Sequence, residues 1–158
     1  MTAGERRELH ELVERYAQAV DRVDGTAVSE LFVEDGVLAT WMDPATGTST
    51  GEQKGRQAIA TAVNGLSRYV ATHHTISSHS STVDGAQATG ESLCTAHHVV
   101  DEGGKRHDRV LYIRYLDTFV RASGPWLFSR REVHVQWVST LPVDSAAART
   151  RSTRQPRG

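Results

Sequence analysis

The chain has 158 residues, which suits one domain with a short tail, and its 38% hydrophobic and 23% charged residues are ordinary for a globular protein. Its formal net charge of −1 gives no general attraction to nucleic acid or to an anionic membrane, so we expect neither as a partner. No apolar run is long enough to span a bilayer, and the polar N-terminus has no apolar signal region, which predicts a cytoplasmic protein. A single cysteine, Cys94, rules out an intrachain disulfide and a cysteine-based metal cluster.

The C-terminal residues 144–158 are predicted to be a disordered, arginine-rich tail. From Ser145 onward the chain carries four arginines and no acid, so the tail is strongly basic while the rest is acidic. The tail has no bulky apolar residue whose burial would offset the entropy lost on ordering. We therefore expect one folded domain at residues 1–143.

Apolar residues at helical spacing predict helices in the first part of the chain. The first helix carries one apolar stripe, formed by Leu9, Leu12, Val13, Tyr16, Ala17 and Val20. Gly25 is suited to end this helix. Thr26 can then cap a short second helix that extends to Phe32. A strand is expected at residues 37–42, a loop at 43–50, and a third helix from about Gly55 to Leu66.

The second half of the chain has the pattern of long strands joined by short turns that contain glycine. The predicted strands are Tyr69–Val83, Ala86–Asp101, Arg106–Arg121 and Trp126–Leu141. Such strands form an antiparallel meander. Helices followed by strands predict an α+β fold, in which helices cover one face of a curved sheet and leave a pocket between the two layers.

Histidine is the unusual feature of the composition, with eight in the chain, and two adjacent pairs fall within predicted strands. Because adjacent strand residues point to opposite faces, the pairs His73-His74 and His97-His98 can each offer one imidazole to a given face. Regular alternation along the first long strand puts His79 on the same face as His73, opposite to His74.

Asp21 lies late in the first helix, at the margin of its apolar stripe, from which a carboxylate could turn into the pocket. The alternative is a solvated acid near a helix end. The sequence contains no His-Glu-x-x-His motif, no Gly-x-Ser-x-Gly motif and no glycine-rich phosphate loop. We therefore expect no metal and no cofactor.

Several short motifs occur in a characteristic order: Tyr16-Ala17-x-x-x-Asp21, Phe32-x-x-Asp35-Gly36-Val37, His73-His74, Asp84-Gly85, Ala96-His97-His98 and Arg114-Tyr115-Leu116-Asp117. In order and spacing they resemble the SnoaL-like branch of the nuclear-transport-factor-2-like superfamily, over roughly Glu8 to Val143. The resemblance implies a cone-shaped α+β barrel with a deep apolar pocket. Relatives of this kind include scytalone dehydratase, bile-acid dehydratase, a dehydrochlorinase and ketosteroid isomerase.

The resemblance also implies which residues act in the pocket. Many relatives use a His–Asp pair, and by motif the aspartate corresponds to Asp21. The catalytic histidine of the relatives lies ten residues before the Asp-Gly turn, which selects His74 over His73.

Three further residues are implied as substrate contacts: Tyr16, His98 and Arg131. A slip of one residue would replace His98 by His97, or Arg131 by Arg130. In this interpretation Tyr16 and Arg131 hold a carbonyl or leaving oxygen, and His98 assists a departing hydroxyl.

Taken together, these features predict a cofactor-independent lyase or isomerase of the dehydratase type. Its substrate would be a mostly apolar cyclic small molecule of steroid, polyketide or terpenoid type. The alternative is a non-catalytic module of the same fold that binds a small molecule or takes part in an assembly. In either case the resemblance predicts a homo-oligomer, either a dimer or a trimer.

Deleting residues 145–158 should leave the melting temperature almost unchanged, because a segment without bulky apolar residues buries little surface. Thermal unfolding of the full chain and of the truncated chain, followed by circular dichroism, measures this. A decrease of many degrees would show that the tail packs against a folded part of the protein.

Overall fold

The computed structural model describes residues 1–145, which contain N-terminal helices followed by long strands. The helices are α1 (Ala3–Asp21), α2 (Gly25–Glu30), α3 (Arg56–Asn64) and a short 3₁₀ helix (Gly65–Arg68). The strands are β1 (Phe32–Trp41), β2 (Gly51–Lys54), β3 (Ala71–Asp84), β4 (Gln87–Glu102), β5 (Lys105–Val120) and β6 (Leu127–Pro142). The predicted α+β class is confirmed, while nearly all of the predicted tail lies outside the described residues.

The strands form one curved, unclosed sheet in the order β2-β1-β6-β5-β4-β3. Strands β3 to β6 make the predicted antiparallel meander, and each begins and ends within two residues of its predicted bounds. Strand β1 differs, because it runs parallel to β6, with Leu38 opposite Arg131. No local pattern predicts this pairing, since the two strands lie far apart in the chain.

The region around β1 differs from the sequence prediction in two ways. Helix α2 ends at Glu30, and Phe32 begins β1 instead of extending the helix. The Phe32 ring is fully buried against Phe128, and its carbonyl oxygen accepts hydrogen bonds from the Arg56 guanidinium at 2.7 and 2.9 Å. These tertiary contacts stabilise Phe32 in the strand, although its spacing from Val28 fits a helix. The short strand β2, which the sequence did not predict, pairs with residues 37–40 of β1.

Helix α1 begins at a capping box, in which Thr2 and Glu5 satisfy each other's backbone N–H groups. The predicted apolar stripe is its buried face, and all six stripe residues are at most 5% exposed. This face packs toward β3 and covers the inner side of the sheet. Within residues 1–145, no helix is both long and apolar enough to cross a membrane.

Helix α1 ends at Asp21 and is closed by a turn at Val23, not at Gly25 as predicted. Val23 has a positive φ of 55°, and its N–H donates to the carbonyl of Val20 while that of Asp24 donates to Ala19. This is the Schellman pattern, which usually contains glycine. A β-branched residue there costs about 1–2 kcal/mol. The turn stops the helix directly after Asp21, which fixes the carboxylate at the end of α1.

Gly25 has a packing role instead. An added Cβ would lie 2.3 Å from the carbonyl oxygen of Ala60 and 2.6 Å from Oδ1 of Asn64. The same Asn64 oxygen accepts a hydrogen bond from the Gly25 N–H at 3.0 Å. Gly25 therefore allows α2 and α3 to approach at a distance that no other residue permits.

A bulge in β3 changes which of its side chains face the helices. The register with β4 shifts between Ile76 and Ser78, so one extra residue is inserted there. Before the bulge His74 and Ile76 face inward, and after it the more buried positions are His79, Ser81 and Val83. The predicted regular alternation is therefore wrong beyond Ser77, and His79 shares the inner face with His74.

The outer face of the sheet exposes several large apolar side chains, between 38% and 55%: Leu93, Leu116, Trp137 and Leu141. The Trp137 ring stacks on Tyr112 at a centroid distance of 4.4 Å. Such a face is suited to contact with another protein surface. The homo-oligomer expected from the sequence stays a prediction.

Replacing Gly25 by alanine should lower the free energy of unfolding by about 1–3 kcal/mol, because the added methyl group would force α2 and α3 apart. The matched control is Gly4→Ala in α1, where the nearest atom to an added Cβ is 3.7 Å away. This control should be neutral or stabilising by up to about 1 kcal/mol, since alanine favours helix. Urea denaturation compares the two variants, and equal effects would contradict the close-packing argument.

Candidate active site

The carboxylate of Asp21 and the imidazole of His74 form a hydrogen-bonded pair between α1 and β3. Nδ1 of His74 lies 2.7 Å from Oδ1 of Asp21, and the backbone N–H of His74 donates to Oδ2 at 2.8 Å. One carboxylate thus holds both the ring and the backbone of the same residue, which fixes the orientation of the imidazole. The His74 side chain is 6% exposed and the Asp21 side chain is 21% exposed. The two residues that the resemblance selects therefore lie within hydrogen-bond distance of each other.

The charge of Asp21 sets the tautomer of His74. Burial acts to raise the pKa of Asp21, but hydrogen bonds from the ring and the backbone of His74 outweigh it and hold the pKa below its ordinary value. An ionised carboxylate can only accept, so Nδ1 carries the proton of the neutral ring. Nε2 then keeps its lone pair and is the atom that can take a proton from a ligand.

His73 points away from this pair. Its side chain is 75% exposed, and its Nδ1 lies 4.0 Å from Oδ2 of Asp21, too far for a hydrogen bond. The strand therefore presents His74 inward and His73 outward, as the sequence predicts.

His98 lies beside His74 on the inner face, with 5.4 Å between the ring centroids. Burial, followed by the nearby charge of His74, lowers the pKa of His98 to about 4, so its ring is neutral at pH 7. Its Nε2 is buried and has no hydrogen-bond partner among residues 1–145. The alternative His97 faces outward, where it pairs with Asp108 at 2.6 Å.

The sequence analysis missed the role of Tyr69, which covers His98, and of Arg68, which contacts Tyr69. The Tyr69 ring stacks on His98 with 4.6 Å between the centroids, and the Arg68 guanidinium lies over the Tyr69 ring at 4.6 Å from its centroid. Arg68 also donates a hydrogen bond to the Tyr69 hydroxyl at 3.1 Å. The one available signal was an aromatic residue, Tyr69, at the start of the predicted strand that carries His74.

Arg131 is fully buried and is held by Asp117 through two hydrogen bonds of 2.7 and 2.8 Å. The guanidinium lies 4.2–4.3 Å from the ring centroids of Tyr16, Tyr115 and Phe128. Burial opposes its charge, but the Asp117 carboxylate outweighs burial and raises the pKa of Arg131 further. Nη1 has no partner within the described residues.

The sequence prediction for Arg131 named substrate as its partner and missed Asp117. The slip alternative, Arg130, lies on the other face, where it contacts Glu52 and Glu132. Asp117 was visible in the motif Arg114-Tyr115-Leu116-Asp117, but an acid in a strand gives no sign of the strand neighbour it will bind. The register places it directly opposite Arg131.

Tyr16 belongs to the Arg131 group. Its side chain is 5% exposed, and burial raises its pKa to about 12, with the positive charge of Arg131 acting in the opposite direction. The phenol is therefore protonated at pH 7. Tyr16 and Asp21 lie on one helix, five residues or about 7 Å apart along its axis. The predicted residues thus fall into two groups, one around His74 and one around Arg131.

A cysteine nucleophile and a metal site find little support among the described residues. The thiol of Cys94 is buried, which raises its pKa to about 11, so little thiolate is present at pH 7. Among residues 1–145, no three His, Cys, Asp or Glu side chains are arranged to hold a metal ion.

Solved structures of other proteins share this fold. A nuclear-transport-factor-2-like protein with a cystatin-like fold from Novosphingobium aromaticivorans is 30% identical, with 90% of this chain and 85% of that one covered at a TM-score of 0.66. A proposed scytalone dehydratase from the same organism is 24% identical over 90% and 89% of the chains, with a TM-score of 0.70. The type 3 hexachlorocyclohexane dehydrochlorinase of Novosphingobium barchaimii is 16% identical over 85% and 88%, with a TM-score of 0.73.

The sequence also matches the model of the SnoaL-like domain over residues 1–132. The chain therefore belongs to the SnoaL-like family, as the motifs predict. No curated protein matches the sequence significantly. The two structures below 25% identity are similar to this chain in fold, and the chemistry must be argued from its own residues.

Replacing Asp117 by asparagine should lower the free energy of unfolding by about 3–5 kcal/mol, because the Arg131 charge would stay buried without a counter-charge. The double variant D117L/R131M should be more stable than D117N, since it removes both charges. The control is D101N, which alters an exposed pair with Arg106 and should cost about 1 kcal/mol or less. Urea denaturation measures all three, and a double variant no more stable than D117N would contradict the argument.

Proposed function

We propose that this chain is a cofactor-independent lyase or isomerase that uses His74 and Asp21 as an acid–base pair. The observation that carries the proposal is the 2.7 Å hydrogen bond between them at the inner face of the sheet. An imidazole held by a partly buried carboxylate, with its second nitrogen free of that bond, is a common form of general base. Membership of the SnoaL-like family supports the proposal, because the same fold is found in a dehydrochlorinase.

In the first step, Nε2 of His74 removes a proton from a carbon next to a carbonyl or similar activating group. Asp21 remains ionised. Its carboxylate accepts the hydrogen bond from the Nδ1–H group and stabilises the imidazolium that forms. Its lowered pKa serves this role, because a neutral acid would stabilise the positive ring less.

In the second step, the electron pair of the broken C–H bond forms a new double bond while a bond from the adjacent carbon to oxygen breaks. The imidazolium gives its proton to the leaving oxygen, so water departs and His74 returns to its starting state. In an isomerisation, the same proton returns to a different carbon. His98 is neutral at pH 7 and acts as a hydrogen-bond partner for the leaving or carbonyl oxygen.

The surroundings of the pair favour a mostly apolar cyclic substrate of steroid, polyketide or terpenoid type. The buried side chains of this part of the core are aliphatic: Val20, Ala96, Leu111 and Ile113, with Ile76 packed against them. Apolar walls with a few polar groups are typical of small-molecule pockets. Deeper in the core, Nη1 of Arg131 and the Tyr16 phenol are suited to a carbonyl oxygen.

One observation favours the alternative, a binding module without chemistry. The inner face beyond His74 is filled by the chain's own rings, since Tyr16, Phe32 and Phe128 are at most 5% exposed, and Arg131 is fully buried. A ligand reaches Arg131 only if these side chains move. In a catalyst, Tyr69 and the aromatic core must therefore give way to substrate.

The test is hydrogen–deuterium exchange at the carbon next to the carbonyl in a panel of cyclic β-hydroxy ketones, followed by NMR in D₂O. This measures proton removal whether or not a leaving group departs. His74→Ala should lower the exchange rate of any accepted compound by about 10²–10⁴-fold, the usual contribution of a general base. The D21N variant should also lower the exchange rate, because a neutral asparagine cannot stabilise the positive charge of the imidazolium.

The matched control is His73→Ala, which removes the adjacent, exposed imidazole and should keep the rate within a few-fold. Circular dichroism checks that all variants fold. Equal rates for the wild-type protein and His74→Ala would overturn the proposal. Binding of a panel compound without exchange would favour the binding module.

A further inference from the structure

A cavity lies at the N-terminal end of α1, away from Asp21. It has a volume of about 380 Å³ and is lined by Ala3, Arg6, Arg7, His10 and His79. Four of these five side chains carry nitrogen donors, and none is acidic. From His10 to Asp21 the helix rises about 16 Å, so this cavity is distinct from the His74 site.

The positive charge at this cavity is only weakly neutralised. Arg6 makes no ion pair with any residue from 1 to 145, whereas Arg7 lies 3.5 Å from Glu11 with both side chains more than half exposed. Exposed pairs of this kind are weak and are easily exchanged for another anion. His10 lies 3.2 Å from Glu14. The remaining acids of this part of α1, Glu5 and Glu8, contact Arg121 instead.

His79 is a partly buried nitrogen donor of the cavity, and several contacts fix the orientation of its ring. The β3 bulge turns it inward, its Nδ1 lies 2.9 Å from the hydroxyl of the fully buried Ser92, and its ring faces His10 at 5.7 Å. Gly90 leaves room for the ring, since an added Cβ would lie 3.2 Å from its Cε1. Nε2 of His79 is buried and has no partner within the described residues.

The electrostatic environment of His79 is positive. Burial, and then the charges of His10 and Arg131, lower its pKa to about 4, so the ring is neutral at pH 7. In the tautomer in which Ser92 donates its hydroxyl proton to Nδ1, the ring carries its own proton on Nε2. The cavity thus combines two guanidinium groups with an imidazole whose Nε2 has no partner within the described residues and can donate to an anion in that tautomer.

We propose that this cavity binds a phosphate-type oxyanion, held by Arg6 and Arg7 and accepting hydrogen bonds from His10 and His79. Guanidinium groups match the geometry of phosphate oxygens and form strong charge-assisted hydrogen bonds with them. The volume leaves room for an organic group beside the anion, so the ligand is either a phosphate monoester or free phosphate. The inference is independent of the chemistry proposed for His74.

The test is an NMR titration of the histidine ring signals with sodium phosphate at pH 7, with ionic strength held constant by sodium chloride to remove general screening effects. The signals of His10 and His79 should shift in a saturable manner, and those of His74 and His98 should not. Phenyl phosphate forms the second arm. Tighter binding than phosphate identifies an ester as the ligand class, and equal or weaker binding identifies free phosphate.

The variant R6Q/R7Q should weaken phosphate binding by about tenfold or more, because it removes two charge-assisted hydrogen bonds. Both side chains are exposed, so the variant is expected to fold, which circular dichroism checks. The matched control is R15Q on the same helix. Arg15 lines a different cavity, so this variant should change the affinity for phosphate by less than about twofold.

Three results would overturn the proposal. They are the absence of a saturable shift with either compound, equal weakening by R15Q and R6Q/R7Q, and saturable shifts confined to other histidines. D21N serves to separate the two sites. It should slow exchange at the proposed active site while leaving phosphate binding unchanged, so failure of one proposal does not imply failure of the other.

Discussion

The carboxylate of Asp21 joins the end of the first helix to the third strand, and the arrangement of the site depends on this contact. It accepts one hydrogen bond from the ring of His74 and one from its backbone. Helix and strand are therefore fixed relative to each other at the point where the imidazole must be oriented. The turn at Val23 ends the helix directly after Asp21, at a cost in backbone strain that the helix–strand contact helps to offset. One acid thus serves both packing and, in our proposal, proton transfer.

The second constraint is the buried charge of Arg131. A guanidinium with no exposure to water needs a counter-ion and a polarisable environment, and Asp117 and three aromatic rings supply them. This group anchors β5, β6 and α1 around one point. It also fills the space that a substrate of the proposed reaction would use. Stability and ligand access are therefore in competition at the centre of the fold, as is common where a site lies inside a hydrophobic core.

The bulge in β3 changes which side chains the two halves of the strand present to the inner face. Before it, the inner face presents His74 to Asp21 and His98. After it, one inserted residue changes the alternation and turns His79 toward His10 and the basic residues of α1. A strand without the bulge would direct His79 outward and remove one imidazole from the cavity at the N-terminal end of α1. A single irregularity thus places histidines from both halves of one strand on the inner face.

The sequence by itself determined the features that depend on local chemistry. The apolar stripe of α1, the glycine-containing turns of the meander and the alternation that separates His73 from His74 are all set by near neighbours in the chain. The resemblance to the SnoaL-like family added the choice of Asp21 and His74, which the structure brings within hydrogen-bond distance.

Only the tertiary structure decided the rest. The parallel pairing of β1 with β6, the helix–helix contact at Gly25, the Asp117 partner of Arg131 and the position of Tyr69 over His98 all join residues that are distant in sequence or oriented by packing. The bulge at Ser77 has the same origin, because it depends on how β3 matches β4 along the whole strand. The hydrophobic pattern of a segment indicates which face of its helix or strand is apolar. The element against which that face packs is determined by the free energy of packing the complete chain.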